Sequence, residues 1–176
     1  MAKLIPLLAI LAIAAPATLA AGPSQAEMLG DAGCVGGEGP AILVNVAGLK
    51  DRAGEVKVEL YPATAVDFLR DDRDLLKEGK TFRRVRVATP NAGPVELCIR
   101  APRPGRYGLL FTHNRDGKNK FDYRIDGVGV VSNQRIGLSK PKLGNSTITV
   151  GDRPVTASIR VQYLGLFGFG PSGRKG

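Results

Sequence analysis

Apolar and polar residues alternate along most of the chain from residue 41 onward, and turn residues separate the alternating stretches. A period of two is typical of β-strands that bury one face. The apolar sets are Ile42, Val44 and Val46; Val56, Val58 and Leu60; Phe82, Val85 and Val87; Val95, Leu97 and Ile99; Tyr107, Leu109 and Phe111; Ile148 and Val150; and Ile159, Val161 and Tyr163. We therefore predict an all-β fold, a single antiparallel β-sandwich of about seven strands. The intervening Lys57, Glu59 and Tyr61 predict a solvent-facing side for the second strand.

One segment breaks this pattern. Thr64 is followed three positions later by Asp67, as in a capping box, and apolar residues then mix with charges as far as Gly79. We predict a short helical segment of one or two turns. A membrane-surface amphipathic helix is the alternative, but the acids Asp71, Asp72 and Asp74 offset its basic charge.

The N-terminus has the organisation of a secretory signal. Lys3 precedes an apolar run over residues 4–13, and small residues at Ser24 and Ala26, or at Thr18 and Ala20, offer a cleavage site. A retained membrane anchor is one alternative. Lipid attachment at Cys34 is another, although Asp31 stands where such a site has an apolar residue. We predict an exported protein, periplasmic or extracellular.

The domain organisation follows from these segments. We predict a signal peptide at residues 1–26, an N-terminal extension at 27–40, a β-sandwich at 41–164 and a flexible, glycine-rich tail at 165–176. The apolar residues Leu166, Phe167 and Phe169 of the tail offer an alternative to fraying, a strip that docks a partner.

The two cysteines, Cys34 and Cys98, are an even pair in a chain predicted to enter an oxidising compartment, which predicts a disulfide. Closing the loop of 98 − 34 = 64 positions stabilises a fold by roughly 4 kcal/mol. Cys98 lies on the opposite side of its strand from Val95, Leu97 and Ile99, so the disulfide is predicted on the outer face or at an edge. A catalytic or metal-bound thiolate is the alternative, but the single histidine leaves it few partners.

The net charge of +9 becomes +8 without residues 1–26, because Lys3 is their one charged residue. A basic exported protein attracts polyanions, so the expected partners are an anionic envelope polysaccharide, a lipid surface or an acidic protein, with no nucleic acid. The basic residues fall into two loop regions: Arg115, Lys118, Lys120 and Arg124, then Arg135, Lys140 and Lys142. They form a positive patch if both loops lie at one end of the sandwich. Scattered, solvated charge is the alternative.

His113 is the single histidine, so acid–base chemistry would pass through it. No nucleophile elbow, phosphate-binding glycine motif or zinc-ligand spacing accompanies it. We predict that the protein is not an enzyme and needs no cofactor or metal.

Four features occur in order along the chain: the strand Gly54 to Tyr61, the segment Pro104-Gly105-Arg106-Tyr107, the loop His113-Asn114-Arg115-Asp116-Gly117, and Ser132-Asn133. With these the chain resembles the DUF2141 family of uncharacterised bacterial exported proteins over about residues 40 to 163. The resemblance implies a β-sandwich of the transthyretin-like, carboxypeptidase-regulatory type and supplies no activity.

Residues 113–122 correspond to a stretch that, in the family's acidic form, looks like a calcium loop. Here Asn114 replaces the first acid, and Arg115, Lys118 and Lys120 bring positive charge into the stretch. The alternatives are calcium binding and a structural loop tied by Asn and Asp side chains. The candidate binding residues are His113, Asn114, Arg115, Asp116, Lys118, Lys120 and Arg124.

Two functional hypotheses follow. The first is a non-enzymatic exported β-sandwich that binds an anionic envelope component through the basic loops. The second is an accessory structural or protein-interaction domain that docks through a sheet edge or the apolar C-terminal tail.

Overall fold

The computed structural model describes residues 29–30, 34, 38–118 and 120–172; the predicted signal peptide lies outside them. The strands in this part are β1 (Leu29–Gly30), β2 (Ala41–Ala47), β3 (Glu55–Pro62), β4 (Arg83–Ala88), β5 (Val95–Arg100), β6 (Gly105–Asn114), β7 (Gly127–Val130), β8 (Thr147–Val150), β9 (Val155–Arg160), β10 (Gln162–Gly165) and β11 (Gly168–Pro171). Two short helices, α1 (Asp72–Lys77) and α2 (Leu143–Ser146), complete it.

The strands form two sheets, which confirms the predicted β-sandwich. The first sheet has the order β1-β5-β2-β9, and the second has the order β11-β10-β7-β6-β3-β4. β8 also belongs to the second sheet, where it pairs with the start of β6 while β7 pairs with its end. Most pairs are antiparallel, but β1–β5 and β2–β9 are parallel.

The main core lies between the sheets and contains the predicted apolar residues except Phe82, which packs against Tyr61 on the outer face of the second sheet. Val44 and Leu97 meet it from the first sheet, and Val58 and Phe111 from the second. Gly54 precedes β3 with φ +67°, and a Cβ there would collide with the carbonyl of Asn114. The glycine therefore permits the close approach of the β3 entry to the end of β6.

The prediction of a solvent-facing side for β3 is wrong. Lys57 is 5% exposed and Glu59 6%, and Tyr61 is buried with them. The reason is an additional layer on the outer face of the second sheet, where α1 buries Leu75 and a second apolar cluster includes Leu110. α1 also confirms the predicted short helical segment.

The disulfide between Cys34 and Cys98 is present, with 6.2 Å between the Cα atoms. Both cysteines pack with Ala41 in a small cluster separate from the main core, as predicted from the alternation in β5. The N-terminal extension contributes β1, whose Gly30 pairs in register with Cys98.

Residues 165–172, predicted to belong to a flexible tail, instead include strand β11, which pairs with β10 in a hairpin. The hairpin is held because Phe169 is buried and exchanges backbone hydrogen bonds with Gly137. Along the described ranges, no helix is long and apolar enough to cross a bilayer.

Candidate functional site

His113, at the end of β6, is completely buried. Its Nε2 lies 2.8 Å from the carbonyl oxygen of Ala53, and its Nδ1 lies 2.7 Å from the hydroxyl of Tyr163. A carbonyl only accepts, so Nε2 carries the proton and Nδ1 accepts from Tyr163. Burial lowers the pKa of His113, and the neutral ring ties the second sheet to the loop before β3.

Asn114 and Asp116 organise the loop that follows β6. The buried Asn114 amide donates to the carbonyl of Lys118 at 2.7 Å and to Glu55 at 3.2 Å. Asp116 accepts from the backbone N–H of Lys118 at 3.0 Å, and its second oxygen is 3.0 Å from the Lys118 ammonium. The contact with the ammonium is an ion pair without hydrogen-bond geometry.

The buried Asp126 carboxylate closes the same loop, because it accepts from the backbone N–H groups of Arg115 and Asp122, each at 2.9 Å. Bonds of this kind are those of a structural loop. In the part of the chain that the structure describes, no group of three or more His, Cys, Asp or Glu side chains is placed to hold a metal ion.

The basic residues of this first loop differ in their surroundings. The Arg115 guanidinium binds the Asp51 carboxylate, with Nε 2.9 Å from Oδ2, and this hydrogen bond lowers the pKa of Asp51. Lys120 and Arg124 are exposed, and the Arg124 guanidinium lies 5.2 Å from the Tyr123 ring centre. No ion pair joins Lys120 or Arg124 to a described carboxylate, so their charges face the solvent.

The second basic loop, residues 131–142, is anchored to the hairpin of β10 and β11. The buried Gln162 accepts from the backbone N–H of Ile136 at 3.0 Å and donates to the carbonyl of Gln134 at 2.8 Å. Arg135 donates to the carbonyl of Phe167 at 3.2 Å. Lys140 is exposed at the end of this loop.

Both loops border one groove on the outer face of the second sheet, which we call the outer groove. Its volume is about 760 Å³, within the range of small-molecule sites. The first loop contributes Phe121 and Tyr123 to its lining, and the second contributes residues 136–141, including Lys140. Both loops thus reach one groove, and Lys140 is the predicted basic residue that lies in its described lining.

The floor of the outer groove consists of Lys57, Glu59, Leu110, Thr112 and Val128, contributed by β3, β6 and β7. Thr112 lies directly opposite both Lys57 and Val128 in the strand register, so these three side chains form one row across the sheet. The sequence analysis missed this floor. Two signals were available. The polar side of the alternating strand β3 includes the aromatic Tyr61, and the segment that follows β3 contains apolar residues that can cover that side.

The charges on the floor are unequally compensated. Arg84 donates to Glu59 at 2.6 Å, and the Tyr61 hydroxyl donates to its other oxygen at 3.1 Å. Burial is the main reason that the pKa of Tyr61 is raised, which keeps this hydroxyl a donor. Lys57 has no hydrogen bond or ion pair with any residue that the structure describes. Burial lowers its pKa, against the opposing effect of Glu59.

A family model described as "Uncharacterized protein conserved in bacteria (DUF2141)" matches residues 44–158. The chain belongs to this family. The DUF2141 match runs from within β2 to within β9 and includes the entire floor of the outer groove, whereas Leu164 and Phe169, which line it from the hairpin, follow the matched segment. The searches of curated proteins and of solved structures found no significant match. DUF2141 membership therefore confirms the resemblance and assigns no activity.

Proposed function

We propose that the protein is an exported, non-enzymatic domain that binds an anionic envelope component at the outer groove and its basic loops. The observation that carries this proposal is that both basic loops border the same groove. Lys120 and Arg124 are exposed neighbours in sequence of Phe121 and Tyr123, which line the groove, and Lys140 itself lines it. Positive charge around a concave site raises the local concentration of anions.

The surroundings of His113 support a non-enzymatic role. Both ring nitrogens are engaged, by Ala53 and Tyr163, and the side chain has no exposed surface. A general acid or base must reach the proton that it transfers. His113 has the environment of a structural histidine.

The predicted signal peptide and the disulfide support export. A bond between Cys34 and Cys98 is typical of proteins that fold in an oxidising compartment. Expression of the full chain fused to a reporter enzyme that is active only after export, compared with a fusion lacking residues 1–26, tests this part. Equal reporter activity from the two fusions would contradict it.

Cosedimentation with bacterial envelope fractions at low and high salt tests the binding. We expect binding at low salt that is lost at high salt, because screening weakens attraction between exposed charges. The combined variant Lys120→Ala, Arg124→Ala and Lys140→Ala removes three charges beside the groove and should abolish binding.

The matched control is the variant Arg103→Ala, Arg106→Ala and Arg153→Ala. It removes the same charge from exposed residues near the opposite end of β6. The proposal requires that this control binds like the unmodified protein. Equal loss in both variants would show a response to net charge alone and would contradict a site at the groove.

A second candidate function is docking of a partner protein through the hairpin of β10 and β11. Leu166 is 97% exposed and Phe167 77% at its turn, and β11 is the edge strand of the second sheet. Binding that survives high salt and is lost in the variant Leu166→Ser and Phe167→Ser would favour it. Point substitutions are preferable to deletion of residues 165–176, which would also remove the buried Phe169.

A further inference from the structure

Lys57 is the unusual residue of the outer groove. Its side chain is 5% exposed, yet no hydrogen bond or ion pair with a described residue compensates its ammonium group. Burying a charge without a partner is costly, and most buried lysines are paired. Lys57 lines the outer groove, so a ligand bound in the groove can contact it.

The neighbouring carboxylates compensate this charge only in part, because Glu59 favours the charged form of Lys57 but makes no hydrogen bond or ion pair with it. Glu59 is held by Arg84 at 2.6 Å, and Glu55 is paired with Arg86 at 3.2 Å. Both carboxylates thus have a guanidinium partner, and Arg84 also binds Asp72 at 2.8 Å. Lys57 is therefore a charged group of the floor that has no direct partner among the described residues. Thr112, opposite Lys57 in register, adds a hydroxyl that can donate to an anion.

The remainder of the groove is mainly apolar. Val128 lies on the floor in the same row as Lys57, Leu110 lies on the floor beside that row, and Phe169 lines the groove from the hairpin. Leu138 and Leu164 form its exposed apolar rim; Leu138 is 86% exposed. A buried lysine without a direct partner beside an apolar channel matches a ligand with one anionic group and one apolar body.

We infer that the outer groove binds a carboxylate with a single apolar chain, its head group on Lys57 and Thr112 and its chain along Leu110, Val128 and Leu138. The inference rests on the proposed anion-binding function and names its ligand class. A carboxylate carries one negative charge, which the Lys57 ammonium can neutralise, whereas a phosphate monoester carries close to two at neutral pH. The apolar chain of the ligand covers the exposed apolar rim, and this burial contributes favourably to the free energy of binding.

Titration calorimetry with three probes tests this inference. Dodecanoate has both the head group and the chain, dodecanol has the chain alone, and acetate has the head group alone. Dodecanoate should bind more tightly than either of the other two. Lys57→Met should weaken dodecanoate binding about tenfold or more and leave dodecanol binding unchanged, because only the charged contact is lost.

Two further variants complete the design. Lys77→Met, at an exposed position of α1, is the matched control and should bind dodecanoate normally. Leu138→Ser should weaken dodecanoate and dodecanol alike, because both use the rim. Since Leu138 is exposed, this substitution carries little risk to folding.

A measurement on the unmodified protein gives an independent readout. In a pH titration of protein produced with carbon-isotope-labelled lysine and followed by magnetic resonance at the Lys57 Cε, dodecanoate should raise the pKa of Lys57 and acetate should not. An unchanged Lys57 signal, or equal dodecanoate affinity in Lys57→Met, would overturn the inference. If envelope fractions still bind in a salt-sensitive way, the proposed function stands alone; if they do not bind either, both fail.

Discussion

The hydroxyl of Tyr163 donates a hydrogen bond to Nδ1 of His113, and the two atoms are 2.7 Å apart. The same hydroxyl accepts from the backbone N–H of Lys50 at 3.0 Å. Tyr163 belongs to β10 and His113 to β6, which do not neighbour each other in the sheet. This bond therefore joins β10 and β6 directly, across β7, which lies between them in the sheet.

Tyr163→Phe should lower the free energy of unfolding by about 1–3 kcal/mol, because it leaves the His113 Nδ1 and the Lys50 N–H without their partner. Urea denaturation of the two proteins at neutral pH measures this. Tyr123→Phe is the control: Tyr123 is exposed, and the change there should stay within about 0.5 kcal/mol. Equal stability of all three proteins would show that the buried hydroxyl contributes nothing.

Mild acid should destabilise the protein through His113. Burial lowers the pKa of His113 in the folded state below its ordinary value of 6.5, so the unfolded state binds more protons once the pH falls below that value. Stability present at neutral pH is then lost between 6.5 and the lowered pKa. Urea denaturation at successive pH values should show this loss for the unmodified protein.

The control for this prediction is His113→Gln, which has no group that titrates in the window. Its overall stability is expected to be lower, but its loss between neutral and mildly acidic pH should be smaller. A pH dependence identical to that of the unmodified protein would assign the acid sensitivity to other groups.

Removing the disulfide with Cys34→Ser and Cys98→Ser should lower the free energy of unfolding by roughly 4 kcal/mol, because the bond closes a loop with a separation of 64 residues. Denaturant unfolding of the variant and of the oxidised protein measures the difference. Reduction of the unmodified protein should reproduce it. A variant as stable as the oxidised protein would exclude a stabilising role for the disulfide.

Lys57→Met should stabilise the ligand-free protein at neutral pH by about 1 kcal/mol, because it replaces an uncompensated buried charge with an apolar chain of similar length. The pKa of Lys57 is lowered from 10.5 in the folded state. Its destabilising effect is therefore complete below the lowered pKa and declines as the pH rises toward 10.5. The gain from the substitution should shrink over that range in urea denaturation, and a constant gain would contradict the charge explanation.

Much of the fold was predictable from local pattern. The alternation in β2, β3, β5 and β6 identified their inward faces correctly, because a two-residue period places every second side chain on one side of a strand. The short strands β1 and β7 were missed, since two to four residues carry too little periodicity. The hairpin strand β11 was missed because glycine-rich sequence is also typical of a frayed end.

The sequence by itself determined the strand faces, the cysteine pairing and the family, because each depends on residue identity and order along the chain. Only the tertiary structure decided that the polar side of β3 is covered and that the two basic loops border one groove. It alone also placed Tyr163 against His113, 50 residues away. Burial of a strand face depends on which distant segments fold over it, and that information is absent from the local alternation that defines the strand.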